Sequence, residues 1–130
     1  MRLLFALLMT LAMAPGPPPA APPGRIVFAS GRTDDGNADI FSADIAGDAI
    51  VNLTHDPAPD RSPSWSPDGT QIVFSSRRAD NWDLYLMRAD GSDVRRLTED
   101  RAYDGEPAWS PDGARIAFSS SRGGDMDIYL

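Results

Sequence analysis

The residues best equipped for chemistry fall in two stretches of the chain. One holds Asp56, Asp60 and Arg61, next to the single histidine, His55; the other holds Asp100, Arg101, Asp104 and Glu106. Carboxylates and guanidinium groups grouped in this way suit a polar ligand, a peptide or a cation. A third group, Asp34-Asp35-Gly36-Asn37-Ala38-Asp39, offers clustered oxygen ligands of the kind that suit Ca²⁺. It lacks the spaced acidic ligands and trailing Glu of an EF-hand loop, so calcium stays a minor alternative and no cofactor or metal ligand is assigned. There is no Gly-x-Ser-x-Gly elbow and no His-Glu-x-x-His helix, and one loop histidine does not make a Ser-His-Asp set. No catalytic residue is assigned, and the chain is read as non-enzymatic.

Composition narrows the classes further. With no cysteine, disulfides and thiolate metal sites are excluded. The net charge is −7, and the arginines are scattered, so a clustered basic face for nucleic acid is not expected. Residues 1–21 carry Arg2, a short apolar run from Leu3 to Ala12 and small residues suited to cleavage near 14 or 20–21. They are read as a signal peptide too short to remain as a stable membrane anchor. Residues 15–24 are a proline-rich linker.

What positions the charged residues is a repeat. Trp65-Ser66-Pro67-Asp68-Gly69 returns as Trp109-Ser110-Pro111-Asp112-Gly113, 44 residues later. Proline presets the second position of such a turn, and glycine takes the left-handed conformation that closes the hairpin. Asp39-Ile40-Phe41, Asp83-Leu84-Tyr85 and Asp127-Ile128-Tyr129 follow the same spacing, as do Leu53-Thr54 and Leu97-Thr98. Each unit reads as four short strands, A to D. Strand A lies around Trp65 and Trp109; B is 26–30, 72–76 and 116–120; C is 39–42, 83–87 and 127–130; D is 50–53 and 94–97. Four antiparallel strands in a repeat of about 40–45 residues make a propeller blade. The predicted fold is all-β, a partial propeller over 25–130 with strands B-C-D, A-B-C-D and A-B-C.

The pattern Pro-x-Trp-Ser-Pro-Asp-Gly, Ile-x-Phe-Ser-Ser, Asp-Ile-Tyr-Leu, Asp-Gly-Ser and Leu-Thr resembles the WD40-like propeller repeat of the TolB family across residues 25–130. The resemblance implies a periplasmic or secreted protein that binds other proteins or small polar ligands. Similar blades also occur in the non-catalytic propellers of prolyl-oligopeptidase-like serine peptidases, where a catalytic domain would lie outside this chain, and in some polysaccharide lyases. A six-bladed ring needs roughly 260 residues. The chain is therefore expected to be part of a longer protein, to complete a ring by self-association, or to stand as an open stack with bare edges.

Strand order puts the A–B and C–D turns on one face of the ring and the longer B–C and D–A loops on the other. Long loops on a rigid scaffold are where binding concentrates. Asp60, Arg61, Trp82, Asp104 and Glu106 are thus the candidate ligand-binding residues. Trp82 breaks the pattern, its counterparts being Ala38 and Met126; it suits stacking on a sugar or aromatic group, or packing on the next blade. Asp60 and Asp104 recur at the repeat spacing, which favours a structural job. The Ser-x-Arg at the end of each strand B (Arg32, Arg78, Arg122) is expected to bridge to the Asp that opens strand C.

Overall fold

The computed structural model describes residues 24–33 and 36–130. The stretches expected to be a signal peptide and, but for Gly24, a proline-rich linker lie outside them, as do Asp34 and Asp35. Ten strands follow in chain order: β1 (Arg25–Ser30), β2 (Asp39–Asp44), β3 (Val51–Asn52), β4 (Asp60–Trp65), β5 (Gln71–Ser76), β6 (Asp83–Arg88), β7 (Arg95–Arg96), β8 (Asp104–Trp109), β9 (Ile116–Ser120) and β10 (Asp127–Tyr129). They form three antiparallel sheets, β1-β2-β3, β4-β5-β6-β7 and β8-β9-β10. This is the B-C-D, A-B-C-D, A-B-C arrangement, and the fold is an all-β partial propeller.

The A–B turns are built as their sequence requires. Gly69 and Gly113 have φ of 67° and 69°. Each donates its N–H to the carbonyl of the turn's serine at 2.9 Å. The Ser66 hydroxyl donates to Asp68 Oδ1 at 2.6 Å and accepts the Gln71 N–H at 3.0 Å. Ser-Pro-Asp-Gly is thus a side-chain-locked corner.

Strand A begins earlier than its tryptophan suggests. The register jumps between Arg61 and Ser64, and again between Gly105 and Ala108. Ser62 and Glu106 both stand at φ 50° in these bulges, and Pro63 and Pro107 have no N–H to lend to a ladder. Asp60, Arg61, Asp104 and Glu106 therefore sit in bulged strands, not in the D–A loops where they were expected. Strand D is correspondingly short. Past β3 the Thr54 hydroxyl accepts the Ile40 N–H at 2.9 Å, and past β7 Thr98 does the same for Leu84 at 3.0 Å. A side chain takes the place of a ladder bond, which accounts for the recurring Leu-Thr.

The core lies between the first two sheets: Ile40, Leu53, Ile72, Phe74, Tyr85 and Met87, with Val27 and Trp65 against them. Each fully buried large apolar side chain contributes about 1.5–3 kcal/mol. The middle sheet is covered on both faces. Every residue of β5 after Gln71 is buried, as is β6 up to Met87. An alternating pattern is not needed there, since neighbours occupy both sides. The third sheet has no such cover among the described residues. Ile128 is 72% exposed, whereas Ile40 and Leu84 at the same repeat position are 0% and 2% exposed.

Candidate functional site

Two kinds of polar structure occupy the long-loop side. The first recurs. Asp60 is fully buried, and Arg78 Nη2 donates to both its carboxylate oxygens, at 3.0 and 2.8 Å. Arg78 Nε donates to Ser76 Oγ at 2.9 Å, and the guanidinium lies over Phe74 and Tyr85 at 5.4 and 5.0 Å. The next sheet repeats this with Asp104, Arg122, Ser120, Phe118 and Tyr129. The Ser-x-Arg arginine therefore bridges to the Asp that opens strand A, correcting the expected pairing with strand C. The bulge places the strand-A carboxylate beside strand B's serine, Asp60 opposite Ser76. The strand-C acid turns to strand D instead: Arg96 donates to Asp83 at 2.7 Å, and Asn52 to Asp39 at 2.7 Å. A second recurrent latch ties sheet to sheet. The Asn37 amide donates to the carbonyls of Asp56 and Ala58, and that of Asn81 to those of Asp100 and Ala102.

The second structure occurs once. A cleft of about 290 Å³ opens between the second and third sheets, lined by Arg61, Ser62, Ser75, Trp82, Tyr103 and Glu106. The Arg61 guanidinium lies over the Trp82 indole, 4.9 Å from its centroid. Tyr103 donates its hydroxyl to Glu106 Oε1 at 3.3 Å. Burial, then the Glu106 charge, pushes the Tyr103 phenol up, so it stays protonated and keeps that donor. Ser75 is 2% exposed, and its hydroxyl finds no hydrogen-bond partner among the described residues. The cleft thus offers a cation, a carboxylate, two aromatic rings and an unmet buried hydroxyl. These groups can bind and orient a polar ligand. Among the described residues no three His, Asp or Glu side chains are grouped to hold a metal ion.

A family model, the dipeptidyl peptidase IV (DPP IV) N-terminal region, matches residues 31–107, more than half of the chain. The chain belongs to that family. Within it, the repeat is TolB-like. A TolB homolog of Chlorobaculum tepidum is 39% identical over 62 residues, which is 48% of this chain and 14% of the relative. The structure of a putative TolB from Agrobacterium tumefaciens superposes with a TM-score of 0.69 at 33% identity, covering 75% of this chain and 34% of that one. The tricorn protease shares the fold, with a TM-score of 0.61 at 22% identity over 83% of this chain and 11% of its own. The chain thus spans about a third or less of the length of these relatives.

In this DPP IV N-terminal-region propeller the candidate residues divide. Arg61, Trp82 and Glu106 come together in the cleft. Asp60 and Asp104 lie under it in the clamps and do not line it. Tyr103, Ser62 and Ser75 complete the lining and were not singled out from sequence. Tyr103 carried a signal: 44 residues earlier stands Pro59, so an aromatic is out of pattern there, as at Trp82. Gly105 carries another, since it replaces Arg61 of the preceding unit. A Cβ on Gly105 would lie 2.6 Å from Tyr103 Cζ, so only glycine lets that ring fold into the cleft. A larger cleft of about 580 Å³ lies between the two Ser-Pro-Asp-Gly corners. Its carboxylates, Asp68 and Asp112, are already engaged inside their turns.

Proposed function

We propose that this chain is a non-enzymatic binding module of the periplasm or the cell exterior. Its ligand is a polar segment of a protein partner seated in the Arg61–Trp82–Glu106 cleft. One observation carries the reading. The residues that break the repeat, Arg61, Trp82, Tyr103 and Glu106, converge on a single cleft, whereas the recurring Asp60 and Asp104 are consumed by the scaffold. One cation and one carboxylate facing each other suit the opposite ends of peptide dipoles or a paired side chain. The Ser75 hydroxyl gives a ligand a buried polar contact that is otherwise unmet, worth about 1–3 kcal/mol. The amino-terminal apolar run and the TolB relatives support the location. The test is calorimetric titration with a panel of short charged and neutral peptides, and with oligosaccharides as the competing class. Binding of peptides that is lost in Arg61→Ala and Glu106→Gln supports the reading. Saccharide binding without peptide binding overturns the ligand class.

Family membership and the tricorn likeness favour a second reading, in which the blades belong to the accessory propeller of a serine peptidase. The gene downstream of the Leu130 codon decides between them. A Gly-x-Ser-x-Gly strand–turn–helix there assigns the peptidase, and further blades ending in a stop assign the binding protein.

A further inference from the structure

The cleft between the two Ser-Pro-Asp-Gly corners has no part in the reading above. Its volume of about 580 Å³ is in the range of clefts that hold a ligand. Its walls are mostly apolar, with Trp109 and the exposed Pro67 and Pro111 among them. The corners meet where Gly113 faces Pro67: a Cβ there would lie 3.7 Å from Pro67 Cδ, in ordinary contact. The two carboxylates, Asp68 and Asp112, are tied inside their own turns by the Ser66 and Ser110 hydroxyls, which hold them below the usual carboxylate range. They stay ionised, so they repel an acidic occupant. The cleft suits an uncharged, extended, apolar segment, and prolyl rings on an aromatic-lined groove are a recurring form of such packing.

The chain contains a segment of that kind. Residues 15–23 read Pro-Gly-Pro-Pro-Pro-Ala-Ala-Pro-Pro and carry no charged side chain. A proline run favours the polyproline II helix, which gives up no internal hydrogen bonds on docking and little conformational entropy. The segment joins the fold at the right place. Gly24 precedes Ile26 by two residues, as Thr70 of the cleft precedes Ile72. β1 and β5 are both strand B of their sheets, so residue 23 adjoins the face where the corners stand. With sheets about 10 Å apart, the cleft between the second and third lies roughly 15 Å along that face from the first. Residues 20–24 span about 15 Å as polyproline II, at 3.1 Å per residue. We propose that Pro17-Pro18-Pro19 pack into this chain's own corner cleft, against Trp109, Pro67 and Pro111. The docked segment covers the corner face and leaves the long-loop face open to a ligand.

The test uses the chain as secreted, its N-terminus read first by mass spectrometry. Of the two cleavage positions expected from the sequence, only that near 14 keeps the three prolines. With no cysteine in the chain, Ala20→Cys gives a single place for a nitroxide label. The label should broaden the Trp109 indole N–H resonance and leave that of Trp82, on the long-loop side, sharp. Serine at positions 17, 18 and 19, with the label kept, should abolish most of the broadening. These substitutions touch no described residue, and an unchanged Trp82 resonance shows that the sheets are intact. A mature N-terminus at Ala21 or Pro22 overturns the proposal. So does a Trp109 resonance as sharp as that of Trp82, or broadening that survives the serine substitutions. Broadening that grows with protein concentration would place the segment on a second copy and overturn it as well.

Discussion

Arg78 grips Asp60 with one nitrogen on both carboxylate oxygens, at 3.0 and 2.8 Å, although the two residues are 18 apart in sequence. The carboxylate is fully buried, and the guanidinium keeps a little solvent. The pair locks the start of strand A to the end of strand B. Burial makes the geometry consequential, because removing one partner leaves the other charged in a poor solvent. Arg78→Ala or Asp60→Ala is expected to destabilise the chain by about 3 kcal/mol in urea unfolding. Arg88 and Asp93 also pair, at 3.4 Å, but both are about two-thirds exposed. Asp93→Ala is expected to change stability by less than about 1 kcal/mol. Equal losses at the two pairs would contradict this account of the clamp.

The turn acids Asp68 and Asp112 and the buried acids Asp60 and Asp83 are shifted in opposite directions. The Ser66 hydroxyl, then the Thr70 N–H, hold Asp68 below its ordinary 3.8; the Ser110 hydroxyl, then the Ala114 N–H, do the same for Asp112. Burial pushes Asp60 and Asp83 above that value, against the pull of their hydrogen bonds and arginines. A lowered folded pKa gives stability that is present above the unfolded value and is lost as pH falls through the folded one. A raised carboxylate does the reverse: the folded state holds a proton the unfolded chain has released, so falling pH favours folding across that interval. Carbon-detected carboxylate titration should place Asp68 and Asp112 on the acid side of 3.8 and Asp60 and Asp83 on the other. The raised acids should then favour folding as pH falls towards about 4, and the lowered ones should cost stability as it falls further.

Two glycines carry separate jobs. Gly91 has φ +86°, and a Cβ there would meet the Leu53 carbonyl oxygen at 2.5 Å. Gly91→Ala is expected to cost more than about 1 kcal/mol, from left-handed strain plus the displaced backbone. Gly105 has no such φ, and its neighbour is the Tyr103 ring, so Gly105→Ala should act on the cleft more than on stability. Thermal unfolding and ligand titration of both variants separate the two effects. Peptide binding that survives Gly105→Ala unchanged would remove Tyr103 from the site.

The bare end sheet predicts self-association. Ile128 and Leu130 are 72% and 77% exposed where inner sheets bury their equivalents. Apolar surface of this kind is normally an interface. Sedimentation should show mass rising with concentration, and Ile128→Lys should lower it. A monomer at all concentrations with cooperative unfolding would show that the open stack is stable alone.

Most of the fold was legible because the repeat carries it. The spacing of 44 locates sheets, turns and faces by itself. What stayed hidden depends on two-residue shifts. Which aspartate meets Arg78 turns on the bulge at Ser62, and a bulge leaves no mark beyond Pro63. Strand D, expected over 50–53 and 94–97, is two residues long in each sheet; the Thr54 hydroxyl on the Ile40 N–H marks where the ladder stops. In the cleft, Arg61, Trp82 and Glu106 were visible as charged or out-of-pattern residues. Tyr103 was equally out of pattern against Pro59, but that its ring folds into the cleft depends on the missing side chain at Gly105, a contact that spacing alone does not show.

On the proposed reading, this protein binds in the off-repeat cleft and not at the recurring hairpin corner. The chain has three tryptophans, and they divide between the two places: Trp82 lines the cleft, Trp109 lines the space between the corners, and Trp65 packs on the core. The indole N–H resonances of the uniformly ¹⁵N-labelled chain, followed as a bound peptide is titrated, therefore test the claim directly. Trp82 should shift with saturation while Trp65 and Trp109 hold still. Movement of Trp109 with Trp82 unchanged would contradict it.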